Sequence, residues 1–200
     1  MALQAQTLTS TVPTRHRITV EEYERMIAAN VWPEDERLEL IEGELVRMSP
    51  INAPHAAAVK RLTELLRDRL GKRALVGVQD PIVLDDQSEP EPDISVLRRR
   101  ADYYANAHPS PADVLLVVEV SDTTLEYDRD VKARLYARAG IPETWVVDLN
   151  GERVIVFREV DNGEYTRMES VRRGAEIAPT AFPDVTLHVD DILGEGRASA

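Results

Sequence analysis

The 200-residue sequence contains no cysteine, which excludes disulfide frameworks, Cys-ligated zinc or iron–sulfur centres and thiol nucleophiles. Aromatic residues make up only 5%. Sugar clefts built on paired carboxylates usually carry aromatic platforms, so this scarcity counts against a glycosidase. No apolar run approaches the ~18 residues of a membrane-spanning helix. Met1 to Thr14 lack a basic stretch followed by an apolar block, so no signal peptide is expected. Positive charge is scarce as well: 24 Lys+Arg stand against 36 Asp+Glu, a net charge of −12. A chain this acidic repels polyanions at long range, so any nucleic-acid surface must be local or helped by bound cations. What is present is a hydrophobic fraction of 43% on a length typical of one domain. That is enough for one packed core, expected in the cytoplasm and away from membranes.

The pattern along the chain predicts a loose arm over residues 1–17, one domain over 18–193 and a disordered tail over 194–200. Thr19 with Glu22 three residues on fits a capping box that opens a helix to about Ala29. Arg37–Ile41 and Glu44–Met48 flank Glu42-Gly43 and read as a hairpin. Val59, Leu62, Leu66 and Leu70 recur at helical spacing before Gly71. Ala74–Val78, Pro81–Leu84 and Pro92–Leu97 read as extended, around a turn at Asp85–Ser88. Val114–Val120 is a continuous apolar run suited to a strand buried on both faces. Asp128–Ala139 reads as a helix with Val131, Leu135 and Ala139 on its apolar face. Glu143–Leu149 and Glu152–Glu159 flank Asn150-Gly151, a type I′ hairpin signal. A second turn falls at Asp161–Gly163, and a last strand at Val185–Val189. This order is α/β with a mixed sheet.

The chemistry centres on Glu119, an acid inside the apolar run. Burying an unpaired carboxylate is expensive. Glu119 therefore either stands at a strand end in a cleft, where α/β sheets collect ligands, or is held in a structural ion pair. Asp93, 26 residues earlier, starts a short strand, and the two strands can be neighbours. Two close carboxylates cannot both ionise cheaply, and a hard dication such as Mg²⁺ or Mn²⁺ removes the conflict. Asp128, Lys132 and Tyr136 share one helix face at i, i+4, i+8. Packed beside the sheet end, Lys132 would reach that cleft; the alternative is a surface pair between Asp128 and Lys132. Arg98-Arg99-Arg100, and Lys60, Arg61, Arg67 and Arg69 on the long helix, are the local basic patches. His16, His108 and His188 have no metal-ligand spacing.

Pro92-Asp93 followed by a strand ending Val118-Glu119-Val120 resembles the PD-(D/E)XK nuclease signature. Further blocks resemble the Uma-type family of restriction endonucleases. They are Glu39–Glu44, Pro54-His55, Glu91–Ile94, Val117–Ser121, Asp130-x-Lys132 with Tyr136, and Ile141–Asp148; the likeness spans roughly residues 18–192. It implies a restriction-endonuclease-like mixed sheet flanked by helices, and Mg²⁺-dependent (or Mn²⁺-dependent) cleavage of DNA. By position, it makes Asp93 and Glu119 metal ligands together with the Val120 carbonyl. Lys132 becomes the active-site lysine, displaced from the position that Ser121 occupies here. Glu42, in the hairpin turn, and His55, at a helix start whose dipole favours a neutral imidazole, are secondary candidates with Ser121 and Tyr136. A homodimer would supply two sites for two strands, with the Asn150-Gly151 hairpin edge as one interface. The second reading is a catalytically weak nucleic-acid- or protein-binding module on the same fold.

Overall fold

The computed structural model describes residues 15–33 and 36–194. The expected arm and tail therefore lie almost wholly outside the described residues. Helix α1 (Val20–Ala28) opens on the capping box: the Thr19 side chain accepts from the Glu22 N–H, and the Glu22 carboxylate accepts from the Thr19 N–H. β1 (Leu38–Ile41) and β2 (Glu44–Arg47) form the hairpin around Glu42-Gly43. α2 (Ala53–Leu70) starts two residues earlier than its apolar spacing suggests, because Asn52 caps it and Pro54 suits its first turn. β3 (Ala74–Gly77), β4 (Ile94–Arg98), β5 (Val114–Ser121), β6 (Glu143–Asp148), β7 (Arg153–Asp161) and β8 (Glu164–Arg172) form one six-stranded sheet in that order. Every neighbouring pair is antiparallel except β5 and β6. A parallel pair needs a crossover, here supplied by α3 (Leu125–Tyr127), a π-helical turn (Asp128–Lys132) and α4 (Ala133–Arg138).

The alternation of β5 decides which side of the sheet does chemistry. Leu116, Val118 and Val120 pack with Leu62, Leu66 and Leu70 of α2, in the larger core. By the period of two, Val117, Glu119 and Ser121 point to the opposite face. There Val117 packs with Leu135, Tyr136 and Ile141. Glu119 thus lies on the same side of the sheet as the crossover helix.

Several expectations are corrected. Pro81–Leu84 is not a strand; its N–H groups bond to the carbonyls of Pro90, Pro109 and Ser88 in a coil. Asn150-Gly151 is not a two-residue type I′ turn. Asp148 pairs with Arg153 across a four-residue loop, and only Glu152 in it has positive φ. The Gly151 N–H donates to Asp148, and a Cβ there would fall 2.2 Å from the Asp148 carboxylate. The two-residue turns with positive φ at both positions are Glu42-Gly43 and Asn162-Gly163. The C-terminal stretch holds β10 (Leu187–His188), paired with β9 (Glu176–Ile177), and then α5 (Val189–Leu193) in place of one strand. Its carbonyls occupy two arginines of the basic patch on α2: Arg61 donates to Ile192 and Leu193, and Arg69 to Thr186. Among the described residues, no helix is long and apolar enough to cross a membrane.

Glu89 is buried, and its Oε2 has no hydrogen-bond partner. Burial, then the charges of Glu24 and Glu91, push its carboxyl up to about 7. A carboxyl raised on folding favours the fold while protonated, and that advantage is lost as pH rises through the folded value. Glu89→Gln should therefore leave stability unchanged near ~pH 4 and raise it by about 2–3 kcal/mol near ~pH 8. Thermal melts at both pH values check this; an equal effect at both would refute it.

Candidate active site

Register brings the two acids together. Ile94 pairs with Val118, so Asp93 falls beside Glu119 at the next step of the ladder. The Asp93 N–H points at Glu119 Oε2 at 3.4 Å, and the Val120 N–H donates to Asp93 Oδ2 at 2.9 Å. Asp93 Oδ2 is also 3.0 Å from His55 Nε2, and Gln79 donates to Oδ1 at 3.1 Å. Burial pushes the Asp93 carboxyl up. The hydrogen bonds from His55, Val120 and Gln79 outweigh it and hold Asp93 below its ordinary value. The bond to Asp93 in turn raises His55, against the effect expected from the helix dipole, because a carboxylate in contact outweighs a partial charge.

Lys132 reaches the cleft. Its ammonium lies 2.9 Å from Glu119 Oε1 and 3.0 Å from Glu39 Oε2, and the side chain is 4% exposed. Tyr136 donates to Glu119 Oε1 at 2.6 Å. Asp128 does not pair with Lys132 on the surface; it accepts from Ser121 Oγ at 2.7 Å and Thr124 Oγ1 at 2.6 Å. Asp128, Lys132 and Tyr136 do share a face, as their spacing predicts, but that face is buried while Val131 is exposed. The π turn is the reason. Its bond from the Ala133 N–H to the Asp128 carbonyl admits one extra residue and re-aims the side chains; such turns recur at functional sites.

Burial would strip the Lys132 ammonium of its proton, but Glu119, Tyr136, Glu39 and Asp128 outweigh it and hold the group well above the ordinary lysine value. Burial pushes Glu119 up to about 8, with Lys132 pulling the other way. One ammonium faces two carboxylates, Glu39 and Glu119. Asp93, Glu119, Lys132, Glu39, His55 and Val120 line one open cavity of about 700 Å³, together with residues 46–52 and 122–128.

Glu42 is corrected: it is half-exposed in the turn, where its backbone has positive φ, and pairs with Arg138. The acid that the hairpin contributes is Glu39, quoted above within a motif block but not singled out. Its signal resembled that of Glu119: a carboxylate inside a short strand among leucines. Ser121 positions Asp128 and occupies no place beside Lys132. The arginines following β4 stand at the strand end opposite Asp93. There Arg98 bonds the Ala112 carbonyl and Arg100 pairs with Asp102. His16 and His188 pair with Glu22 and Glu176 on the surface.

A six-stranded mixed sheet flanked by helices, with two acids at adjacent strand ends and a crossover lysine paired with one of them, places the molecule in the restriction-endonuclease-like α/β class. Residues 20–190 match the model of the Uma2 family, described as "Putative restriction endonuclease", and the chain belongs to that family. The fold is shared with the crystal structure of a protein described as a "putative nuclease belonging to DUF820" from Anabaena variabilis ATCC 29413. That match has a TM-score of 0.71 and 19% identity over 88% of this chain and 97% of that one. No curated protein matches.

Proposed function

We propose that this chain is a metal-dependent endonuclease that hydrolyses phosphodiester bonds in DNA, acting in the cytoplasm. The observation that carries the reading is the convergence of Asp93, Glu119 and Lys132 on one open cavity. The two carboxylates, with the Val120 carbonyl, would supply oxygen ligands of the kind Mg²⁺ and Mn²⁺ take, and with no group of three His, Asp or Glu side chains placed to hold a metal among the described residues, water and the substrate phosphate would have to complete the shell. When bound, such a cation would supply Lewis-acid stabilisation of charge on the phosphate.

The chain's own residues divide the remaining work. Asp93 is fixed by three hydrogen bonds and kept ionised. Glu119 is oriented by Tyr136 and Lys132. Lys132, held as an ammonium, offers fixed positive charge to a pentacoordinate phosphate rather than a base for water. Cutting both strands of a duplex calls for two such sites, which a homodimer provides.

Supercoiled plasmid with Mg²⁺ should be nicked and linearised by the protein, and left intact with a chelator. One observation favours the second reading, a binding module: Lys132 is sealed between Glu39 and Glu119. Tight plasmid binding without strand breaks in Mg²⁺ or Mn²⁺ would establish it instead.

A further inference from the structure

Three buried side-chain atoms among the described residues have no hydrogen-bond partner: His55 Nδ1, Glu89 Oε2 and the Tyr127 hydroxyl. Two of those residues, His55 and Tyr127, line the cavity of the candidate active site. His55 is already engaged through its other nitrogen with Asp93. Tyr127 is not engaged at all through its hydroxyl. It ends α3, immediately before the π turn that re-aims Lys132. Its ring is half-buried, and its oxygen lies within electrostatic reach of Glu39, Lys132, Asp128 and Glu119. Burial, followed by the Glu39 charge, pushes the phenol up to about 12, so it stays an O–H donor at neutral pH.

A buried hydroxyl without a partner destabilises the fold, and phenylalanine would fill the same space without that penalty. The residue therefore fits a role outside the resting fold. The other cations lining the cavity, Arg37 and Arg47, are paired with Glu91 and Glu36, and Lys132 is its buried ammonium with carboxylates around it. A neutral donor beside that ammonium adds a hydrogen bond to an anionic oxygen where further acids would repel it.

We propose that Tyr127 is a substrate-contacting residue whose hydroxyl donates to a phosphate oxygen of a nucleic-acid strand seated in this cavity. The proposal rests on the nuclease reading above. It goes further in naming a donor that neither holds a metal nor touches the two acids.

The test compares the full-length protein with Tyr127→Phe by two readouts. One is the Tm of the free protein. The other is the Kd for a short fluorescein-labelled DNA duplex, by anisotropy, with Ca²⁺ in place of Mg²⁺ to hold cleavage back. The expected result is a Tm equal to or above that of the wild type, together with binding about tenfold weaker, the scale of one hydrogen bond to a charged group. Equal binding by the two proteins would overturn the proposal. So would a lower Tm, which marks the hydroxyl as a structural donor to an ordered water. A wild-type protein that neither binds the duplex nor cuts plasmid would sink the nuclease reading itself, an outcome separate from the first two.

Discussion

Asp93→Asn and Glu119→Gln should each lower plasmid cleavage by about 10³-fold or more, the scale of deleting a group that acts on the reacting centre. The amide variants suit the test better than alanine. Asn at 93 can still accept from the Val120 N–H and bond the Gln79 and His55 side chains, so the ladder end stays closed. Gln at 119 can still accept from Tyr136. Neither change opens a cavity, so both proteins should melt close to the wild type. The corresponding alanine variants should be as inactive, with lower stability. A folded Asp93→Asn protein cutting at the wild-type rate would remove Asp93 from the chemistry.

The second large effect is on stability. Lys132→Met replaces a buried ammonium by an apolar chain of similar length and leaves Glu39 and Glu119 facing each other without a cation. Breaking a buried ion pair from one side costs about 3–5 kcal/mol. The sign with pH follows: burial raises the stranded Glu119 carboxyl on folding, so the loss is largest at high pH and shrinks as Glu119 takes up a proton. Adding Glu39→Gln and Glu119→Gln to Lys132→Met should recover part of the loss. Urea unfolding near ~pH 8 and ~pH 5 measures both effects. A loss below about 1 kcal/mol at the higher pH would mean that the three groups do not act as one buried network.

Much of this site is legible in local sequence because its main signals are violations of local rules. Glu119 breaks an apolar run, and Thr19-Glu22 and Pro92-Asp93 mark element starts. What could not be read depends on groups distant in the chain. Spacing places Asp128, Lys132 and Tyr136 on one face, but their polarity suggests that this face meets water. It is buried because Glu119, Glu39 and Ser121 supply partners from two other elements. The π turn that exposes Val131 has no period of its own to detect. Glu39 and Glu42 look equivalent on the page, and the choice between them is made by the strand, which carries Glu39 inward while the turn carries Glu42 out. Asn150-Gly151 matches the type I′ signal, yet the Asp148 carboxylate, accepting from Gly151 and paired with Arg153, builds a wider loop. Tyr127, an aromatic in a polar stretch, carries no sequence signal for the orphaned hydroxyl.

The most direct measurement is titration of Mn²⁺ into the protein, followed by electron paramagnetic resonance of the free ion. Saturable uptake by the wild type, lost in Asp93→Asn at unchanged Tm, is the predicted result. No uptake by the wild type, or uptake that Asp93→Asn leaves intact, would contradict the assignment of Asp93 and Glu119 as the oxygen ligands of a hard dication.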